Sequence, residues 1–225
     1  MISMIAHQWR QPISVIAMSA NNIMADIELE MLDDAELIKY SKNIIKQTQE
    51  LSSTIDDFRN FFRPDKEPHS ILIKDVLSDA LQIMGASLDY SNVNIIKKIQ
   101  NGTMITTYAR ELMQVFINII KNAKEAFKDT YDINEKEIII NIEEDKDAVT
   151  IDICDNASGI PKDIMDKIFD PYFSTKDSKN GTGLGLYMSK TIIEKHLKGT
   201  ISVKNRQEGA CFTIKLPYFI SQKEA

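Results

Sequence analysis

The sequence predicts an α-helical hairpin followed by an α+β two-layer sandwich, with helices on one face of a mixed sheet. Three observations predict it. Apolar residues recur at intervals of three and four through two long runs before residue 63. A charged stretch carrying Pro64 and Pro68 then breaks the helical pattern. Beyond it, short β-type runs alternate with helical ones, and two of the strand runs are consecutive.

The first helix is read from Ile2, Ile5, Trp9, Ile13, Ile16, Ala20, Ile23, Ile27 and Met31. Leu32-Asp33-Asp34 interrupts it, and Asp33 or Asp34 can cap a second helix carrying Leu37, Ile44, Leu51, Ile55, Phe58 and Phe62. Two isolated helices with stripes this wide leave hydrophobic surface wet, so pairing with a second copy into a four-helix bundle is expected. Residues 63–70 read as a linker. Helices are then expected near 74–87, 108–128 and 185–196. Strands are expected at Val93–Ile99, Lys136–Glu143, Val149–Cys154, Thr200–Val203 and Cys211–Leu216, the middle pair joined through the short 144–148 connection.

In 225 residues, 27 basic and 33 acidic side chains give a formal charge of −6, which argues against nucleic acid as the main partner. No apolar run reaches the roughly 20 residues that span a bilayer. Cys154 and Cys211 lie in apolar strand runs and read as reduced core residues of a cytosolic protein.

Four motifs carry chemistry. His7 stands two residues from Ile5 and from Trp9, so at about 100° per residue it points away from the apolar stripe. A neutral imidazole, with an ordinary pKa of about 6.5, offers a nucleophilic nitrogen. Asn118 and Asn122 share one helix face beside Gln114, with Lys121 and Lys124 adjacent. Asp155 stands where a strand opens into the loop Asn156-Ala157-Ser158-Gly159-Ile160. Phe169 and Phe173 flank Asp170-Pro171-Tyr172, and after the polar stretch 174–180 the run Gly181-Thr182-Gly183-Leu184-Gly185-Leu186 opens a helix. That run matches neither a P-loop, for want of a closing Gly-Lys-Ser/Thr, nor a dinucleotide fingerprint. Gly209 reads as an ordinary hairpin glycine, and His69 and His196 as surface residues outside any constellation.

The order of asparagine helix, Asp loop, aromatic lid and glycine loop resembles the GHKL (gyrase, Hsp90, histidine kinase, MutL) or Bergerat nucleotide-binding family. Met4-Ile5-Ala6-His7-Gln8-Trp9-Arg10-Gln11-Pro12-Ile13 resembles the phosphoacceptor box of a sensor histidine kinase. The resemblance implies a dimerisation and phosphoacceptor hairpin at 1–62, a linker at 63–70, a catalytic ATP-binding domain at 71–219 and a tail at 220–225. It implies ATP and Mg²⁺ as ligands, a homodimer, a response regulator receiver domain as partner, and a cytoplasmic catalytic fragment whose upstream sensor segment is absent. His7 takes the role of phosphoacceptor. Asn122 gives its side-chain oxygen to Mg²⁺, Asn118 has a supporting polar role, and Lys121 and Lys124 are candidates for phosphate contact. Asp155 accepts the adenine amine, Gly159 lets the chain pass close to the base, Phe169 and Phe173 bound the lid, and Gly181, Thr182, Gly183, Leu184 and Gly185 line the triphosphate.

Two departures matter. The family usually has Glu or Asp after the histidine, whereas Gln8 can orient the imidazole but cannot take its proton. Ala157 stands where the family has glycine, so a positive φ there would be strained. Gln11, one turn after His7, carries the amide that could aim a water at an aspartyl phosphate in a phosphatase reaction. Two rival readings stay open at this level: a GHKL ATPase cycle, and a degenerate kinase acting as a phosphatase or ATP-gated scaffold.

Overall fold

The computed structural model describes the backbone of residues 2–61, 67–99, 102–129, 135–175, 183–206 and 209–219, and the side chains of these from residue 12 onward apart from positions 50, 53–61 and 129. Its contacts divide the chain into Met1–Arg63 and Pro64–Ala225. The first unit is a helical hairpin and the second an α+β sandwich, as the sequence predicts.

In the hairpin, α1 (Ile2–Glu28) runs through Pro12 and α2 (Asp34–Phe61) returns along it. The turn comes slightly earlier than Leu32. Glu30 adopts φ 54°, while Met31 N–H donates to the Asp26 carbonyl at 2.8 Å and Glu30 N–H to that of Ile27 at 3.1 Å. That pair of bonds is a Schellman closure, with Glu30 in the left-handed position that glycine normally fills. Asp33 is the residue that caps α2, accepting the Glu36 N–H on Oδ1 at 2.7 Å.

The described part of the hairpin has almost no core of its own. Among its described residues only Ser19, 4% exposed and accepting a bond from Asn43 Nδ2 at 3.0 Å, is fully buried. Ile13, Met18, Met24, Ile27, Ile38 and Ile45 all stand more than half exposed.

In the second unit, β2 (Val93–Ile99), β4 (Lys136–Glu144), β5 (Ala148–Asp155), β7 (Gly209–Pro217) and β6 (Thr200–Arg206) form a sheet in the order β2-β4-β5-β7-β6, parallel only between β2 and β4. The alternation in β4 and β5 turns Ile138, Ile140, Ile142, Val149, Ile151 and Ile153 inward, each at most 1% exposed. Against these strands lies α4 (Ala109–Ala126), flanked by α3 (Ile73–Tyr90) and α5 (Gly185–Thr191), the last of which continues as a π-helical turn over Ile192–His196. Leu112, Val115, Phe116, Ile119 and Ile120 make the apolar stripe of α4, and each is fully buried.

Three sequence readings need correction. The short strands β1 (His69–Leu72) and β3 (Met104–Thr107) pair antiparallel, and β1 begins inside the segment read as linker. Four-residue strands hold too few residues for alternation to register. Cys154 and Cys211 are not free: they stand opposite each other on β5 and β7 and are joined as a disulfide. Their separation of 57 residues hid the pairing, because register between distant strands is a tertiary property. His196 is half-buried, its Nδ1 2.9 Å from Oε2 of Glu111, a carboxylate only 6% exposed.

The cap gives a direct test. Asp33→Ala should destabilise the hairpin by about 1 kcal/mol, read as a fall in Tm, with Asp34→Ala much less costly.

Candidate functional site

One end of the sheet carries Asp155 and the loop that follows it. The β5 strand ends at Asp155, β7 begins at Gly209, β6 ends at Arg206 and β4 begins at Lys136, because antiparallel pairing brings the finish of one strand beside the start of the next. Asp155 Oδ1 accepts the backbone N–H of Ala157 at 3.0 Å and of Ala210 at 3.2 Å. Burial pushes its carboxyl above the ordinary carboxylate range, opposed by those bonds from Ala210 and Ala157. Both of these bonds land on Oδ1 and Oδ2 takes part in neither; the Asp155 N–H also bonds the carboxyl.

The loop after Asp155 is tied down on two sides. Asn156 Oδ1 accepts the Glu137 N–H at 2.8 Å and its Nδ2 donates to the Glu135 carbonyl at 2.8 Å, which fastens the loop to β4. Asn205 of β6 reaches Ile160 in the same way from the other side. Ala157 is 1% exposed and has no positive φ, so the glycine-to-alanine departure carries no backbone strain. Gly159 does use its freedom, at φ 72°.

On helix α4, Asn118 and Asn122 stand four residues apart on one face. Asn118 Nδ2 donates to Ser189 Oγ on α5 at 2.8 Å, and a Cβ on Gly185 would lie 2.4 Å from Asn118 Oδ1. Gly185 is therefore what lets the start of α5 approach the asparagine helix. Lys124 turns away, donating to Ser87 Oγ on α3 at 2.6 Å, whereas Lys121 stays exposed.

At the base of the lid, the Tyr172 N–H donates to the Gly183 carbonyl at 2.9 Å, with Tyr172 at φ 67° and Gly183 at φ 63°. A Cβ on Gly183 would fall 2.4 Å from the Tyr172 carbonyl carbon. Phe169 packs edge-on against Phe212, centroids 6.3 Å apart, with Lys190 Nζ 5.3 Å above its ring. Phe173 is half-buried and Leu184 precedes the first turn of α5. Gly181 and Thr182 lie outside the described residues. His7, Gln8 and Gln11 belong to α1, and their side chains likewise lie outside what is described.

Sequence reasoning missed Gly209. A Cβ there would sit 1.8 Å from the Asp155 carbonyl oxygen and 2.9 Å from Asn156 Cα, so this glycine admits the Asp loop against β7. Its place at the entry of the last strand was visible, but the chain it must admit was not.

A divalent cation of the magnesium type takes oxygen ligands and keeps phosphate and water among them. Among the described residues no group of three or more His, Cys, Asp or Glu could hold a metal ion. The Asn122 amide oxygen fits as a single protein donor to a cation that arrives with phosphates.

Residues 107–220 match the family described as histidine kinase-, DNA gyrase B- and HSP90-like ATPases, and residues 1–67 match the His Kinase A phosphoacceptor domain. The chain is 30% identical over 227 residues to the sensory histidine kinase/phosphatase NtrB of Rhodobacter capsulatus, covering 96% of this chain and 61% of that protein. To an NtrY-like sensor histidine kinase of Rickettsia typhi it is 27% identical over 220 residues, 94% of this chain and 34% of that protein. It thus spans about a third of the length of that relative. Among solved structures, histidine kinase ThkA in complex with response regulator protein TrrA superposes with a TM-score of 0.68 at 26% identity, covering 97% of this chain and 61% of that one.

The two close approaches at the Asp loop and the lid base set a stability test. Gly209→Ala and Gly183→Ala each press a Cβ into backbone and should cost several kcal/mol, on the scale of severe overpacking. Gly85→Ala, in the middle of α3 with nothing within 4 Å of its Cβ, should instead gain about 0.5–1 kcal/mol. Urea denaturation of the three variants measures the contrast.

Proposed function

The chain belongs to the sensor histidine kinases, with a phosphoacceptor helical hairpin and a GHKL-type ATP-binding domain, and from that premise we propose how its own residues divide the work. ATP binds at the Asp155 end of the sheet, in the unit that follows residue 63. The observation that carries this reading is the half-buried Asp155 carboxylate, held through Oδ1 by two backbone N–H groups at the end of its strand.

Asp155 accepts the exocyclic amine of adenine, which selects adenine because guanine presents a carbonyl at that position. The Gly183–Gly185 turn offers backbone N–H groups to the triphosphate, and Lys121 adds an exposed cation. Asn122 holds Mg²⁺, which when bound neutralises charge on the phosphate oxygens. His7 attacks the γ-phosphorus with one ring nitrogen while the Gln8 amide oxygen accepts a hydrogen bond from the N–H of the other, whose proton is given up to solvent after the transfer. The new N–P bond forms as the bond from phosphorus to the β–γ bridging oxygen breaks, and ADP leaves. The phosphoryl group then passes from His7 to an aspartate carboxylate of a response regulator receiver domain, and Gln11 aims the water that hydrolyses that aspartyl phosphate to free aspartate and inorganic phosphate.

The kinase reading is favoured over an ATPase cycle because the asparagine helix presents amides, Asn118 and Asn122, where an ATPase needs a carboxylate to activate water. Incubation with γ-³²P-labelled ATP separates the two. Acid-labile, base-stable label on the protein is expected, lost in His7→Gln with nucleotide affinity unchanged. Steady phosphate release without protein label would instead support the ATPase.

Asp155→Asn tests the adenine contact. The asparagine keeps an oxygen for Ala157 and Ala210 but presents a donor to the adenine amine, and ATP affinity should fall roughly a hundredfold. The native carboxyl is raised above its ordinary 3.8, so its charged form opposes folding, and that opposition disappears as pH falls through the raised value. The apo variant should therefore match or exceed the wild-type Tm at pH 8, and the difference should shrink as pH drops through the carboxylate range.

The hairpin reading is that its exposed stripe closes against a second copy into a four-helix bundle, since one chain leaves Ile13, Ile27 and Ile45 wet. Ile45→Glu places a charge where a monomer would tolerate it and a dimer core would not. Light scattering should show a shift to monomer at micromolar concentration.

A further inference from the structure

We propose that Asn205 is a positioning residue for adenine, clamping the Asp155 loop from the edge strand β6. Its side chain meets Ile160 as a strand neighbour would. Asn205 Oδ1 accepts the Ile160 N–H at 2.9 Å, and Asn205 Nδ2 donates to the Ile160 carbonyl at 2.7 Å. One amide thus satisfies both backbone groups of a single loop residue 45 positions away in sequence.

The glycine beside it bears the mark of this contact. A Cβ on Gly159 would lie 3.0 Å from Asn205 Oδ1, tighter than ordinary packing, and Gly159 is already at φ 72°. The loop is therefore held at its start by Asp155 and Asn156 and at its far end by Asn205, with Gly159 shaped to the clamp. Strand β6 does not depend on that side chain, because its register with β7 runs by backbone pairing from Thr200 to Arg206. Asn205 itself is exposed. Its two bonds therefore govern which conformation the loop populates, and leave the fold alone.

This inference rests on the reading that Asp155 receives adenine. Loss of the clamp lets the Ile160 end of the loop depart and spreads Asp155 Oδ2 over more positions. Recognition of the base weakens while the triphosphate contacts, which lie on α4 and the Gly183–Gly185 turn, stay as they were. A residue that merely held the domain together would weaken every nucleotide equally.

The test is isothermal titration of the full chain with ATP and, separately, GTP, for the wild type, Asn205→Ala, Asn205→Asp and Asp155→Asn. Asn205→Ala should weaken ATP about tenfold, equivalent to ~1.4 kcal/mol, with GTP affinity unchanged, so the preference for ATP falls by the same factor. Asn205→Asp keeps the acceptor for the Ile160 N–H but loses the donor, and should lie between Ala and the wild type. Unchanged ATP affinity in both Asn205 variants, or an equal loss for ATP and GTP, would overturn the clamp. If Asp155→Asn loses ATP while Asn205→Ala does not, only the clamp fails. If Asp155→Asn keeps full ATP affinity, the adenine reading fails and takes the clamp with it.

Discussion

The contact between Asp155 and the start of β7 is the constraint on which the nucleotide end of the domain depends. Gly209 passes so close beneath the Asp155 carbonyl that no side chain fits between them. That proximity brings the Ala210 N–H within 3.2 Å of the carboxylate. The carboxylate is thereby fixed before any ligand arrives, at the cost of holding a negative charge in a partly desolvated place. Burying a charge is tolerable only when it is hydrogen-bonded, and here two backbone N–H groups meet that need while leaving an oxygen for recognition.

The asparagine helix and the helix after the glycine turn are coupled by a second device. Asn118 bonds Ser189, and seven residues back along α4 Glu111 bonds His196, seven residues further along α5 and its π-turn. The bridges are spaced by two helical turns on each side, as expected of two helices running antiparallel. They hold the start of α5 against Asn118 tightly enough that residue 185 has no room for a Cβ. The metal and phosphate contacts proposed for Asn122 and the Gly183–Gly185 turn thus share one framework. The Tyr172–Gly183 backbone bond ties the chain that follows Phe169 to the start of the glycine turn.

The two units contrast in how they are stabilised. The sandwich buries more than thirty hydrophobic side chains, with Phe116, Ile138, Ile140, Ile142, Ile151 and Ile153 fully enclosed, and is a self-sufficient core. The hairpin buries one serine among its described residues. Among those residues the Asp33 cap, the turn and the Ser19–Asn43 seam tie the helices together, and Ile13, Met18, Met24, Ile27, Ile38 and Ile45 point outward. A polar Ser19–Asn43 bond within that seam fixes the register of the two helices, the role for which buried polar pairs are best attested.

Much of this was legible in the sequence, because helices and strands write their periods into the apolar pattern. The hairpin, the three helices of the sandwich and its five main strands follow from that pattern, and the order of motifs indicates the family. The side-chain types at Asn118, Asn122, Asp155 and Gly159 suggested a polar, glycine-lined site without any distance being known. What the sequence withheld were relations between residues far apart in the chain. Cys154 faces Cys211, His196 meets Glu111, Asn205 grips Ile160, and Gly209 is glycine because of Asp155. Each depends on strand register or helix packing, which one chain read linearly does not contain. Four-residue strands such as β1 and β3 escaped for a related reason: their pairing is decided by the neighbour they find, since so few side chains cannot set a period.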